Sequence, residues 1–386
     1  MRQSCKDNQV QRRFVSNMRI LLYDNTQMAV KDGRYYCASG TGKFAQELVH
    51  LGNIVTMYGQ QVADPTSTSE FDILAGGVKV AGLRRYKSKV FSYLMLYLYS
   101  IIYIAKADFV YFFYPTSYRY LPFICRLLGK KYGLYVRGDE NVDDRLSRIL
   151  YKHAYVVFTV AKYFTDTVNR VNKHQVGHTI RPMISYTDKD VIIDRSYEPK
   201  EKYNILFLCR MQKEKGIGEL LEAVYNLKAR GISSFNLTVV GGGPFLEDAK
   251  RLVQKYAIND MISIEGSVKD EVKKKKYYLD ADIYILPTYY REGFPRTLYE
   301  AMIFGTPILT TFVSGIPSLM VDKENCRRLE PRSVKSIEEG IEFATKCYDV
   351  MGRYAKNATQ TVLKVVDPNR LSHAQDVDRV VRLIKK

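Results

Sequence analysis

The sequence predicts an α/β protein of two doubly wound, parallel-sheet (Rossmann-like) domains facing across a cleft. Three observations predict it: short apolar runs alternate with helical segments, glycine- or proline-bearing turns follow several of those runs, and the alternation breaks once, near the middle. The 386 residues suffice for two domains with separate cores, and a composition of 46% hydrophobic and 26% charged residues is that of a globular chain. Ligands of such sheets bind beyond the carboxyl ends of the strands, so the loops there are where function is sought.

The first series opens with Arg19-Ile20-Leu21-Leu22-Tyr23 as a strand, Ser39-Gly40-Thr41-Gly42 as a glycine turn, and residues 43–51 as a helix. Further strands are expected at 54–58, 109–113, 132–136 and 155–160. From 180 to 203 the pattern dissolves among Pro182, Asp188, Asp190, Asp194 and Pro199, which places the junction there. A second series follows at 204–208, 236–240, 262–265, 283–286 and 307–309. The expected domains are 18–185 and 200–365. A last segment, 369–386, carries Leu371, Val377, Val380, Val381 and Ile384 at helical spacing and is expected to return to the first domain.

A formal charge of +18 calls for an acidic partner or surface. Arg84, Arg85, Lys87 and Lys89 directly precede a Tyr-rich apolar stretch, 91–105. That stretch is about fifteen residues, short of the roughly 20 that span a bilayer, so peripheral membrane contact through 84–105 is expected, the alternative being a buried helix. Nucleic-acid recognition signatures are lacking, so nucleic acid is not an expected partner. Cysteines 5, 37, 125, 209, 326 and 347 lack metal or disulfide spacing and read as reduced thiols. With no secretion signal in the opening residues, a cytoplasmic location is expected, peripheral on the inner face of the plasma membrane.

The most informative stretch is Tyr289-Tyr290-Arg291-Glu292-Gly293-Phe294-Pro295-Arg296-Thr297-Leu298-Tyr299-Glu300-Ala301-Met302, followed by Gly305-Thr306-Pro307. Pro295 suits a helix start. The free N–H groups expected near Thr297 and Leu298, with the positive end of the helix dipole, make an anion site fit for a diphosphate. Glu292 and Glu300 stand too far apart to work as an acid/base pair, and so should grip different hydroxyls of one ligand. A second cluster, Arg210 with Lys215 and the permissive Gly216, follows the strand at 204–208; its two cations can converge on the same phosphates. Fixed cations plus a helix start can replace a divalent metal, so neither metal nor cofactor is expected. The turns Gly241-Gly242-Gly243-Pro244 and Gly266-Ser267-Val268 are weaker candidates for approach to a base, and Lys273–Lys276 reads as a solvated helix face. A triphosphatase reading of Thr41-Gly42-Lys43 fails, because Cys37 and Phe44 stand where that motif needs Gly and Ser or Thr.

Together these residues resemble the GT-B-fold retaining glycosyltransferases of family four (glycosyl transferases group 1), over residues 19–346. Glu292 to Glu300 is similar to that family's E-x7-E element, and Arg210 with Lys215 to its phosphate-binding pair. The resemblance implies a retaining hexosyltransferase that uses a nucleotide-diphosphate-sugar donor and a glycan or lipid-linked acceptor in bacterial surface polysaccharide biosynthesis. It implies that Glu292 faces the donor sugar and Glu300 holds the ribose. Gly293, Phe294, Thr297 and Leu298 would supply backbone contacts, Val268 would border the base, and Gly42 would belong to a glycine loop near the donor phosphates. Arg137, in Tyr135-Val136-Arg137-Gly138-Asp139, stands where many members carry a His; since Arg does not shuttle protons near neutral pH, either its charge acts electrostatically or another residue serves in place of that His. Retention without a carboxylate nucleophile implies a front-face route in which the leaving phosphate takes the acceptor proton. Two alternatives are a nucleotide-sugar epimerase on the same fold and a non-catalytic basic binder of membrane or nucleic acid.

Overall fold

The computed structural model describes residues 17–24, 27–63, 71–114, 118–138, 141–182, 184, 186–291 and 293–385. These form two compact units, Met1–Met183 with Leu371–Lys386, and Ile184–Arg370.

The first unit runs β1 (Arg19–Tyr23), β2 (Met28–Lys31), β3 (Arg34–Cys37), α1 (Ser39–His50), β4 (Ile54–Ala63), β5 (Phe71–Asp72), β6 (Lys79–Arg84), α2 (Lys89–Lys106), β7 (Phe109–Tyr114), α3 (Leu121–Leu127), β8 (Tyr132–Val136), α4 (Arg145–His153), β9 (Val156–Thr159), α5 (Lys162–Val171) and β10 (Gly177–Thr179). Its sheet has the order β10-β9-β8-β7-β1-β4-β2-β3-β5, with β6 also on β4. Pairing is parallel except at β2–β3 and β3–β5. Every residue of β7, Phe-Val-Tyr-Phe-Phe-Tyr, is buried, as expected for a central parallel strand covered on both faces. Two of the buried tyrosines satisfy their hydroxyls on backbone: Tyr58 donates to the Leu96 carbonyl and Tyr132 to the Leu150 carbonyl, both at 2.7 Å.

The second unit runs β11 (Tyr203–Leu208), α6 (Ile217–Ala229), β12 (Phe235–Val240), α7 (Leu246–Lys255), β13 (Ile262–Gly266), α8 (Glu271–Asp280), β14 (Ile283–Leu286), α9 (Arg296–Ile303), β15 (Ile308–Thr311), β16 (Arg327–Leu329), α10 (Val334–Lys346) and α11 (Tyr348–Val365). Its all-parallel sheet has the order β13-β12-β11-β14-β15-β16, which reverses direction between β11 and β14. The segment that the sequence leaves as a junction is bonded into this unit. Arg195 donates to the carbonyls of Tyr278 and Phe304 and to the Thr306 hydroxyl, and Tyr197 donates to the Gly305 carbonyl. The last helix, α12 (His373–Arg382), belongs to the first unit, where Asn53 bonds Asp378 at 2.7 Å and Ser372 bonds Glu47 at 2.5 Å.

Two local expectations change. Gly40 and Gly42 do not form a loop, because α1 already starts at Ser39 and Gly42 is buried within it. A Cβ on Gly42 would stand 2.2 Å from the Phe71 ring, so that glycine serves close packing of α1 on β5. The helix α2 is turned with its small residues inward. Ser92, Leu96, Ser100 and Ile104 are buried, while Val90, Phe91, Leu94, Leu98, Ile101 and Ile102 are exposed. Ser100 Oγ bonds the Leu96 carbonyl at 2.7 Å, which satisfies the buried hydroxyl within the helix. No described helix is long and apolar enough to cross a membrane.

Candidate nucleotide-binding site

Beyond the ends of β11 and β14, at the reversal of strand order, lie loops 209–216 and 287–295; such a switch point is where doubly wound sheets take their ligands. The two loops are held to each other by backbone. The Glu214 carbonyl accepts from the Tyr289 N–H (2.9 Å), the Tyr290 N–H (3.0 Å) and the Thr288 hydroxyl (3.2 Å). Gly216 permits this approach: its φ is +80°, and a Cβ there would stand 2.2 Å from the Pro287 carbonyl oxygen. On the other side, the Met211 N–H donates to Gly242 (2.9 Å) and the Met211 carbonyl accepts from Phe245 (3.0 Å), so the glycine turn after β12 supports loop 209–216.

This stitching places the two cations. Arg210 is exposed, whereas Lys215 is half-buried with Nζ 4.8 Å from the centre of the Tyr290 ring. Burial lowers the Lys215 pKa, and the positive charge of Arg210 adds to the fall. An anion bound here would offset that effect on Lys215.

Glu292 lies outside the described residues. Next to it, Gly293, Phe294 and Pro295 are buried, and the Phe294 ring packs on Tyr299 with centroids 4.4 Å apart. The helix α9 starts as expected, with Pro295 as its extended N-cap. The Leu298 N–H is not free, however: it donates to the Pro295 carbonyl at 3.1 Å, because the first turn tightens into an i to i+3 bond. The Thr297 carbonyl accepts from Tyr278 at 3.3 Å. Val268 is half-buried and packs on the core of this unit.

Glu300 is only 5% exposed. Its Oε1 pairs with Lys274 Nζ at 2.8 Å, and its Oε2 accepts from the Tyr278 hydroxyl at 2.8 Å. Burial raises the Glu300 pKa, opposed by the charge and hydrogen bond of Lys274 and by the bond from Tyr278. Lys274 is thus not part of a solvated face; it points inward from α8 and also pairs with Glu271 at 3.2 Å. The sequence offered no sign of this, since four consecutive lysines look alike in one dimension.

In the first unit the strand ends gather a second charged cluster. Arg137, just past β8, pairs with Asp24, just past β1, at 3.2 Å; the Thr41 hydroxyl of α1 donates to the other Asp24 oxygen at 2.8 Å. The Arg137 guanidinium lies 5.0 Å from the centre of the Phe113 ring. Asp24 and Thr41 were not singled out in the sequence, although Asp24 follows the first strand directly. Beside this cluster His373 is fully enclosed: its Nε2 shares a 2.6 Å hydrogen bond with the Tyr111 hydroxyl, and the rings of Tyr135 and Phe44 lie 4.3 and 4.5 Å away. Burial, reinforced by the Arg137 charge, lowers its pKa to about 3, so the ring is neutral.

Residues 188–361, almost the whole second unit, match the glycosyl transferases group 1 family. The second unit belongs to that family. Among relatives, AmsK of Erwinia amylovora, an amylovoran biosynthesis glycosyltransferase, is 33% identical over 121 residues, 30% of this chain and 29% of that one. WcaL of Escherichia coli strain K12, a glycosyltransferase of provisional assignment to colanic acid biosynthesis, is 32% identical over 127 residues, 32% of this chain and 31% of that one. The match therefore spans about a third of either relative. Whole-chain likeness comes from solved structures. Anabaena HepE in complex with UDP has a TM-score of 0.67 at 12% identity, covering 95% of this chain and 98% of that one. Sucrose-phosphate synthase from Thermosynechococcus elongatus has a TM-score of 0.68 at 17% identity, with 96% and 99% covered. These likenesses establish the GT-B fold.

Proposed function

We propose that the protein is a retaining glycosyltransferase that moves a sugar from a nucleotide-diphosphate donor to a glycan or lipid-linked acceptor in bacterial surface polysaccharide biosynthesis. The observation that carries this reading is the Glu214 carbonyl, which ties the loop of Arg210 and Lys215 to the loop leading into α9. Around it stand two cations and a helix start, a set suited to the two charges of a departing nucleoside diphosphate. Those cations do the work that a divalent ion does in other sugar transferases. Glu292 takes the sugar hydroxyls, Glu300 the ribose, and Val268 the edge of the base; Arg137 acts as fixed positive charge and not as a proton carrier. The family match and the relatives' names in polysaccharide biosynthesis support the reading.

A panel of nucleotide sugars, assayed for donor hydrolysis with and without lipid-linked acceptors, tests it. One donor should be turned over, and the anomeric configuration of the product should match that of the donor. Binding of UDP and other nucleoside diphosphates in calorimetry, with none bound by Lys215→Ala, would place the donor at this switch point; binding unchanged in that variant overturns the assignment.

The acceptor side carries a specific expectation. The outward face of α2 and the neighbouring Tyr120, Leu127 and Leu128 are apolar and exposed, Leu127 at 85%, and Arg84, Arg85, Lys87 and Lys89 precede that face. An apolar face beside a row of cations fits the surface of an anionic bilayer, where the protein would meet lipid-linked acceptors from the cytoplasmic side. Sedimentation with vesicles containing phosphatidylglycerol should carry the protein down, and Leu94→Glu with Leu98→Glu should release it. Equal binding to neutral vesicles, or retention of the double variant, would rule this seat out.

A further inference from the structure

We infer that Lys274 and Tyr278 are positioning residues that hold Glu300 ionised and oriented as a reader of the ribose diol, and so give the protein its preference for ribonucleotides. The inference rests on the donor site proposed above and adds two residues of α8 to it. Lys274 and Tyr278 stand one helical turn apart on the same face, and both reach Glu300 on α9, at 2.8 Å each. The contacts are divided: the ammonium takes Oε1 and the phenol takes Oε2. Each carboxylate oxygen has a further lone pair, so the carboxylate is fixed in plane and can still accept from two vicinal hydroxyls.

The surroundings explain why two partners are needed. Glu300 faces Glu271 and the phenols of Tyr186, Tyr278 and Tyr284, with Lys274 the cation among them. Burial and the Glu271 charge both favour a proton on Glu300; Lys274 offsets them and is itself held above the usual lysine range by Glu300 and Glu271 against the effect of its own burial. A protonated Glu300 would be a donor on one oxygen and a weaker acceptor on the other, a poor match to a diol. A neutral residue at 274 would therefore leave the pocket intact in shape and wrong in charge. Glu271, which shares Lys274 at 3.2 Å, also keeps the ammonium from turning away to solvent.

The test compares UDP with 2′-deoxy-UDP by calorimetry in the full-length protein. The wild type should prefer the ribonucleotide by roughly tenfold or more, the worth of one hydrogen bond to a charged group. Lys274→Met should bind both about equally near neutral pH and regain the preference as pH rises and Glu300 ionises; Lys274→Arg should keep it. Tyr278→Phe should lower it part-way. A Lys274→Met protein that still prefers UDP as the wild type does, or one whose preference does not respond to pH, overturns the inference while leaving the donor site standing. If the wild type binds another nucleoside diphosphate instead of UDP, that nucleotide and its 2′-deoxy form replace the pair; a wild type that binds no nucleoside diphosphate removes the donor site and this inference with it. Because the readout is a ratio of two ligands on one protein, a general loss of stability does not imitate the expected result.

Discussion

Asp24 in the first unit and Glu300 in the second are both buried carboxylates, and among the described residues each meets a cation and a hydroxyl: Arg137 and Thr41 for Asp24, Lys274 and Tyr278 for Glu300. The cations differ. The Arg137 side chain is 36% exposed and spends one N–H group on Asp24, whereas that of Lys274 is 19% exposed and divided between two carboxylates. In the first unit the carboxylate is thus the anchor and the cation the end available to a ligand. In the second the roles are reversed, and the cation anchors a carboxylate that still has acceptor capacity. A buried ion pair stabilises little by itself, since desolvation offsets most of the attraction; its use lies in fixing one partner where the other end is needed.

That contrast can be broken experimentally. The largest effects should come from the cations offered to ligand. Arg137→Met and Lys215→Ala should each cut turnover by about 10²- to 10³-fold, as expected for fixed charge facing the transition state; the melting temperature should hold in Lys215→Ala and fall in Arg137→Met, where the buried Asp24 loses its cation. A near-normal rate in Arg137→Met would mean that the first-unit cluster is structural only. Next, Gly216→Ala forces a side chain into a left-handed conformation and against the Pro287 carbonyl. It should lower stability by about 1–3 kcal/mol in urea unfolding and weaken donor binding with it, because the two loops share this contact. Asp24→Ala, the loss of an anchor, should cost about 1–2 kcal/mol by leaving the Thr41 hydroxyl unpaired, and a stability equal to wild type would contradict the anchoring role.

The smallest effect concerns His373. Its folded pKa of about 3 lies below the value of about 6.5 in an unfolded chain, so below the latter the unfolded state binds the extra proton. Stability is therefore complete above the unfolded value and falls as pH drops toward the folded one. Between about pH 7 and about pH 5.5 the loss should be about 1 kcal/mol, and His373→Gln should lack this dependence. The other groups facing the ring are the Tyr111 hydroxyl, five aromatic rings and Arg137, and among the described residues Arg137 is the charge that acts on it.

Legibility in the sequence followed from how local each signal was. The ten strands read from apolar runs all occur; the clearest are central parallel strands, which are buried on both faces and need an unbroken run such as 109–114. The short pieces β2, β3, β5, β10 and β16 carry too few residues for a period to show. The glycines at 40 and 42 looked like a loop because glycine disfavours helices, yet the close approach of Phe71 gives Gly42 a reason to lie inside one. Loop 209–216 was legible as a cationic turn, but its tie to 287–290 was not.

By itself, the sequence determined the two strand–helix series, the helix start at Pro295 and the cationic loop, since each follows from neighbours a few residues apart. Only the tertiary structure decided which lysine of 273–276 turns inward, which side of α2 meets the sheet, and that Asp24 meets Arg137. A lysine run and an all-round apolar helix are nearly uniform in projection, so their orientation depends on what packs beside them: a buried carboxylate in one case, and in the other a sheet that small serines let the helix approach closely. Pairing of residues 113 positions apart likewise depends on strand order, which the chain settles only when the sheet is assembled.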